Sequence, residues 1–195
     1  KRETEMLFEH IARNDRDLLE LITADYTFVD ERLARYYGIP DVQGGEFRQV
    51  SLPADSHRGG ILTHGSFLVS TSNPDRTSPV KRGLLVLENL LATHPPAPPA
   101  NVPALEDAKA AGKQLATVRE QLEVHRSDPA CASCHAHFDP IGIVLENYDV
   151  IGRWRDEEHD TPIDPSATTV TGDELAGIDD LREYIAGNRE RFYRC

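Results

Sequence analysis

The chain has 195 residues, with 33 acidic and 21 basic side chains and a formal net charge of −12. This charge argues against nucleic acid as a partner, because phosphate binding needs a basic surface, and it favours a basic or neutral protein partner. No apolar run in the sequence approaches the roughly 20 residues that span a bilayer, and the length allows one good core or two small ones.

The acidic excess is concentrated near the end of the chain. Residues 156–183 hold ten Asp or Glu residues and one Arg. The simplest interpretation is a solvated face with a loop. The alternatives are a cation site or a docking patch, and a docking patch would act mainly by raising the association rate with a basic partner.

The first third of the chain predicts short helices. Apolar residues at helical spacing predict a helix over residues 2–13, and a second apolar stripe covers Leu18–Ile22. Asp30 suits the N-cap of a third helix, Glu31–Tyr37, and Gly38 suits its end.

Two further helices follow a loop-like stretch. The apolar run Ile61–Val69 predicts one buried helix with His64 in its middle and the small Gly65 beside it. Ser78 and Pro79 are typical of the cap and first position of the next helix.

Residues 94–103 contain five prolines and predict a semi-rigid, extended tether, Pro95–Pro103. The tether divides the chain into residues 1–105 and residues 106–195. A helix over Glu106–His125 follows it, and the pair Asp139–Pro140 predicts the start of another helix.

Between these two helices stands Cys131-Ala-Ser-Cys134-His135, the C-x-x-C-H attachment signal of a c-type haem. The two thiols can form thioethers with the haem vinyl groups, and His135 can ligate the iron, so we predict one covalent haem c per chain. A structural disulfide, a redox dithiol, and a zinc site completed by His137 or Asp139 stay open at this point. A redox dithiol normally follows a strand, and zinc needs further Cys or His ligands nearby.

The second axial ligand is predicted to be His64. It lies in an apolar stretch beside Gly65, which would let a flat ring approach, and it would link the two halves of the chain through the iron. His125 is the next candidate, although its position six residues before Cys131 favours the same side of the haem as His135. Met6, the only methionine, is a third candidate, and an open sixth position is the fourth possibility.

Four side chains near the motif are candidates for binding the haem propionates, because guanidinium groups pair with carboxylates and the indole N–H can donate. They are Arg126, Arg153, Trp154 and Arg155. The alternative is that they are ordinary surface residues.

Six stretches together carry a family resemblance. They are Ala24–Phe28 (ADYTF), Leu62–Ser66 (LTHGS), Thr77–Gly83 (TSPVKRG), Pro95–Pro103, His125–Pro129 (HRSDP) and Cys131–Arg155 (CASCHAHFDPIGIVLENYDVIGRWR). The chain resembles a middle segment of the large, exported, multi-domain cytochrome c-like proteins known chiefly from planctomycetes and related bacteria. The resemblance implies haem, an extracytoplasmic location and further domains on both sides. It also implies that the end at Cys195 leads into another domain, which would explain the third cysteine.

Together these features predict a mainly α fold. Residues 106–195 would form a helical, cytochrome c-like half that carries C-x-x-C-H. Residues 1–105 would form an additional helical half that contributes to the haem pocket, either as a separate domain or as part of one integrated unit.

The predicted function is electron transfer by a covalent haem domain within a larger extracytoplasmic redox protein. Its partners would be further redox domains of that protein or a basic redox protein. One alternative is a peroxidase-like or oxidase-like haem enzyme, with His64 as the distal base and Arg58 or Arg82 stabilising charge. A second alternative is a binding module in which haem only staples the fold.

Overall fold

A computed structural model describes residues 1–53, 55–95 and 117–195. The helices in these ranges are α1 (Arg2–Arg13), α2 (Glu20–Thr23), α3 (Glu31–Tyr37), α4 (Gly65–Ser70), α5 (Pro79–Leu90), α6 (Val118–His125), α7 (Pro129–Ile143), α8 (Ile178–Gly187) and α9 (Arg189–Phe192). The strands are β1 (Tyr26–Val29), β2 (Arg48–Ser51), β3 (Glu157–Glu158), β4 (Thr161–Pro162), β5 (Ala167–Thr168) and β6 (Glu174–Leu175).

The prediction of a mainly α, cytochrome c-like fold is wrong, because helices and sheets are mixed in the described ranges. Strands β1 and β2, β3 and β4, and β5 and β6 pair as three antiparallel two-stranded sheets. All four β1 residues are buried, and Tyr26 lies opposite Ser51. The sequence Tyr-Thr-Phe-Val consists of β-branched and aromatic residues, which favour a pleated, buried strand.

Two of the predicted helix starts are confirmed by their caps. The Asp30 carboxylate accepts from the amide of Leu33 at 2.8 Å, and Gly38 ends α3 in the left-handed region at φ 73°. The Ser78 hydroxyl accepts from the amide of Lys81 at 3.3 Å, and α5 starts with Pro79. In both cases a side-chain oxygen satisfies a first-turn N–H that has no partner within the helix.

The single helix predicted over Ile61–Val69 is broken in two. Ile61–Thr63 form a 3-10 turn, His64 is extended at φ −69° and ψ 138°, and α4 starts at Gly65. The Thr63 hydroxyl accepts from the amide of Gly59 at 2.9 Å and lies 3.1 Å from the carbonyl of Gly60. These local bonds compete with helix formation and hold the turn in place.

The helix predicted to begin at Asp139–Pro140 begins ten residues earlier. Both residues lie inside α7, which runs from Pro129 to Ile143. Pro140 cannot donate to the carbonyl of Ala136, but the helix continues through this position.

Most of the tether Pro95–Pro103 and the first part of the helix predicted over Glu106–His125 lie outside the described residues. The described part of that helix is α6. It begins with a capping box. The Thr117 hydroxyl accepts from the amide of Glu120, and the Glu120 carboxylate accepts from the amide of Thr117.

Helices α5 and α7 pack closely and form the centre of the main core. Gly83 of α5 faces the carbonyl of Phe138, and Gly142 of α7 faces the carbonyl of Pro79. A Cβ at either glycine would overlap backbone atoms, so the two helices approach as closely as they do because these positions carry no side chain. Contacts therefore cross directly between the first and second halves of the chain.

A buried guanidinium strengthens this connection. Arg82 of α5 is 0% exposed and donates to the carbonyls of Leu145 and Tyr148 at 2.7 and 3.0 Å and to the Glu146 carboxylate at 3.1 Å. It therefore fixes the turns that follow α7. In the described part of the chain, no helix has both the length and the apolar character needed to cross a membrane.

Candidate functional site

The residues of the C-x-x-C-H motif share one face of α7. Cys131, Cys134 and His135 stand at positions i, i+3 and i+4, which are neighbours on a helix surface. Both cysteines are free thiols and half-buried, and Cys134 packs against the main core. The His135 side chain is 14% exposed. Two thiols and one imidazole are therefore presented together near the surface.

A buried carboxylate holds the imidazole of His135. Asp139 is 0% exposed, and both of its carboxylate oxygens lie 3.0 Å from Nδ1 of His135. Both contacts therefore involve Nδ1, and Nε2 takes no part in them. The Arg126 Nε lies 3.7 Å from Oδ2 of Asp139 and provides a compensating positive charge.

Two rings flank His135. The imidazole of His125, at the end of α6, lies 4.8 Å from it between centroids at 64°, and the ring of Phe138 lies 4.8 Å away at 58°. Burial lowers the pKa of His125, and the neighbouring His135 lowers it further. Because the two imidazoles are in direct contact, no space for a flat plate lies between them.

The structure places His64 among different partners. It is 2% exposed, and its Nδ1 lies 2.9 Å from the Thr4 hydroxyl on α1. Its Nε2 lies 3.6 Å from Oε1 of Glu3 and makes no hydrogen bond. Burial and the charge of Arg58 lower the pKa of His64 to about 3, so its ring is neutral. The Thr4 and Glu3 contacts of His64 thus lie on α1, and the structure does not bring it to His135.

We call Glu3, Thr27, Tyr37, Arg58 and His64 the Glu3 cluster. The Glu3 carboxylate accepts from the hydroxyls of Thr27 and Tyr37, both at 2.7 Å. The Arg58 guanidinium lies 3.9 Å from the centroid of the Tyr37 ring. Burial raises the pKa of Glu3, although these donors and Arg58 oppose the shift. The cluster is a sealed network.

Sequence reasoning missed Glu3, although the sequence contained a signal. Glu3 stands one turn before Leu7 and two turns before Ile11, so a charged residue occupies the apolar stripe of α1. All three residues are buried. A carboxylate at such a position needs buried donors, and the hydroxyls of Thr27 and Tyr37 supply them.

The four predicted propionate partners are separated. Arg126 lies beside the motif through its contact with Asp139. The remaining three have partners elsewhere: Arg153 over the ring of Tyr36, Trp154 stacked on His57 at 3.7 Å, and Arg155 paired with Glu146 and Glu158. Only Arg126 is therefore next to His135.

The two arginines considered for an enzyme site hold the backbone. Arg58 donates to the carbonyls of Thr63 and Gly152 at 2.6 and 2.5 Å, and Arg82 is enclosed against the turns after α7. Met6 packs beside the apolar residues of α1 and β1.

The zinc and disulfide alternatives receive no support from the geometry. In residues 1–53, 55–95 and 117–195, no group of three or more His, Cys, Asp or Glu side chains could hold a metal ion. The thiols of Cys131 and Cys134 are not joined to each other.

Comparison with family models gives two matches. Residues 58–158, just over half of the chain, match PSCyt3, a protein of unknown function (DUF1588). The chain belongs to the PSCyt3 family. Residues 1–39 match PSD4, a protein of unknown function (DUF1592). Both are domains of unknown function typical of planctomycete cytochrome c-like proteins, so the predicted resemblance is confirmed at this level. No curated protein and no solved structure matches the chain.

The Glu3 cluster joins the two matched segments. Glu3, Thr27 and Tyr37 lie in the PSD4 segment, and Arg58 and His64 lie in the PSCyt3 segment. The whole C-x-x-C-H motif lies in the PSCyt3 segment.

Proposed function

We propose that the chain is a covalent haem c domain that transfers electrons within a larger extracytoplasmic redox protein. The observation that carries this proposal is the shared face of α7, where two free thiols stand beside an imidazole whose Nε2 is available. This donor set fits a c-type haem, which needs two thioether positions and an axial nitrogen.

Each residue has a defined role. Cys131 and Cys134 would hold the haem through thioethers, and His135 would bind the iron through Nε2. Arg126, which lies beside Asp139, would pair with a propionate. When bound, the haem supplies a one-electron ferric/ferrous couple, and the electron passes from a one-electron donor protein to a one-electron acceptor.

The opposite face of the iron is a separate question. His64 stays the sequence-based prediction for that position, and its unpartnered Nε2 is the feature that favours it. Its partners Thr4 and Glu3 argue for a structural role, because ligation by His64 would require the Glu3 cluster to open.

The acidic composition supports the proposed partner. The acids of residues 156–183 would attract a basic redox protein, and this attraction would weaken as salt is added. The extracytoplasmic location is part of the same proposal, because haem is attached to c-type proteins outside the cytoplasm.

Covalent attachment is the direct test. The chain is expressed together with haem-maturation machinery, and haem that remains bound after denaturation is measured. We expect one haem per chain in the wild type and none in the double variant Cys131→Ala/Cys134→Ala. Cys195→Ala is the matched control, because this exposed thiol is outside the motif and its loss should leave attachment unchanged. A colourless wild type, or full attachment in the double variant, would contradict the proposal.

The optical spectrum distinguishes electron transfer from catalysis. A low-spin spectrum that carbon monoxide and cyanide leave unchanged is expected for an electron-transfer domain. Binding of either ligand would instead favour the haem enzyme. His64→Ala tests the second ligand, since a variant that stays low-spin would exclude His64 from the iron.

A further inference from the structure

The contact between His135 and Asp139 is more specific than the motif requires. The signal C-x-x-C-H fixes the two thiols and the imidazole but says nothing about the residue four positions later. Here that residue is an aspartate on the same face of α7, with both oxygens 3.0 Å from Nδ1. The spacing i, i+4 on a continuous helix holds the two side chains together.

Burial strengthens the electrostatic effect of the Asp139 carboxylate on His135. Asp139 is 0% exposed, so water screens its charge little. The ring of Phe138 also packs against the imidazole of His135, at 4.8 Å between centroids. The second ionic partner of Asp139 is Arg126, at the longer distance of 3.7 Å. The arginine balances the charge, whereas the imidazole receives the shorter contacts.

We propose that Asp139 is a positioning residue that fixes the Nδ1–H tautomer of His135 and makes Nε2 an electron-rich iron ligand. This inference rests on the proposed haem function. A carboxylate that accepts from Nδ1 draws the proton towards itself and raises the basicity of the second ring nitrogen. An electron-rich ligand stabilises ferric iron more than ferrous iron, so the reduction potential of the loaded protein is lower than it would be with a neutral acceptor.

The variant Asp139→Asn tests the charge while keeping the shape. Its amide oxygen can still accept from Nδ1, so His135 keeps its orientation and loses the negative neighbour. Asp128→Asn is the matched control, because Asp128 is exposed, lies just before the motif and is outside the His135–Asp139 contact. Both variants remove one negative charge near α7.

The measurement is the reduction potential of each covalently loaded protein in a titration with a one-electron reductant. We expect a clear positive shift for Asp139→Asn and a much smaller shift for Asp128→Asn. Equal shifts would overturn the inference, because they would reflect only the loss of a nearby charge. No shift in either variant would overturn it as well.

A second measurement needs no variant. In the reduced, loaded wild type, the Nδ1–H proton of His135 should give a separate, downfield NMR signal that exchanges slowly with water. An unprotonated Nδ1, or rapid exchange, would overturn the inference even if Asp139→Asn fails to fold.

The outcomes also separate this inference from the proposed function. If the wild type binds no covalent haem, the proposed function fails. If haem is attached and Asp139→Asn has the wild-type potential, the proposed function stands and only the role of Asp139 is lost.

Discussion

Two histidines of this chain stand beside a carboxylate, but their surroundings differ. His64 is enclosed in the Glu3 cluster, at 2% exposure, between residues of α1 and the 3-10 turn. His135 lies at the edge of the core on α7, with 14% exposure of its side chain and two free thiols on the same face.

The difference between these surroundings indicates which feature distinguishes a histidine that can bind iron. The unpartnered Nε2 of His64 lies inside the Glu3 cluster, where the residue is only 2% exposed. The Nε2 of His135 is left available by the Asp139 contact, beside further donors at the surface. Access and neighbouring donors therefore say more about a site than burial of one polar atom.

The largest expected loss of stability is at Gly142, because the position of the motif at the surface depends on the packing of α7 against α5. In Gly142→Ala the new Cβ would overlap the backbone of Pro79, and we expect a loss of about 3 kcal/mol in the free energy of unfolding. Chemical denaturation measures this loss. Gly187→Ala is the control, since a Cβ at that helical position meets no atom within 4 Å. Equal stabilities of the two variants would show that the close α5–α7 contact is not required.

The buried surroundings of His64, the Glu3 cluster, are tested by a substitution at Glu3. Glu3→Ala leaves the hydroxyls of Thr27 and Tyr37 without their acceptor, and we expect a loss of about 2 kcal/mol in denaturant unfolding. Glu5→Ala, on the exposed side of the same helix, should be nearly neutral because its pairing with Lys1 is at the surface. A neutral Glu3→Ala would mean that the cluster does not hold the first half together.

The smallest expected effect is on the pH dependence of stability, which tests whether His64 is buried as a neutral ring. The pKa of His64 is lowered to about 3 in the folded chain, whereas an unfolded histidine takes up a proton near pH 6.5. Below that pH only the unfolded chain gains the proton, so this contribution to stability is lost as the pH falls. Relative to His64→Gln, the wild type should lose about 1 kcal/mol between pH 7 and pH 5.5.

The contribution of Glu3 to the pH dependence of stability has the opposite sign. Its raised pKa means that the folded chain takes up a proton first, which adds stability as the pH falls through the raised value. The wild type and His64→Gln both keep Glu3, so its effect largely cancels in the difference between their stabilities. His137→Gln, at an exposed position on α7, should keep the wild-type pH profile. Parallel profiles for the wild type and His64→Gln would contradict the burial of a neutral His64.

The sequence predicted the elements that have local signals. Asp30 and Gly38 bound α3, and Ser78 and Pro79 start α5, because caps and turns act over three or four residues. The motif itself is also local, so its residues were recognised, but it was expected between two helices and lies inside α7.

The features that were missed depend on distant partners. Strand β1 forms only because β2 pairs with it about 20 residues later, and no periodicity in four residues could indicate that. The run Ile61–Val69 has the apolar content of a helix, but Thr63 bonds the backbone and breaks it. Asp139 looked like a cap before Pro140, whereas its carboxylate is used by His135. The mainly α prediction was wrong because strand pairings such as that of β1 with β2 depend on distant residues.

The Glu3 cluster has an evolutionary consequence. It is assembled from the PSD4 segment and the PSCyt3 segment, and hydrogen bonds cross between them: the Thr4 hydroxyl lies 2.9 Å from Nδ1 of His64, and the Gly65 amide donates to the Tyr37 hydroxyl. A gene that lost one segment would leave the buried ring of His64 without the Thr4 hydroxyl, or the Tyr37 hydroxyl without the Gly65 amide. The two segments are therefore expected to be inherited as a pair.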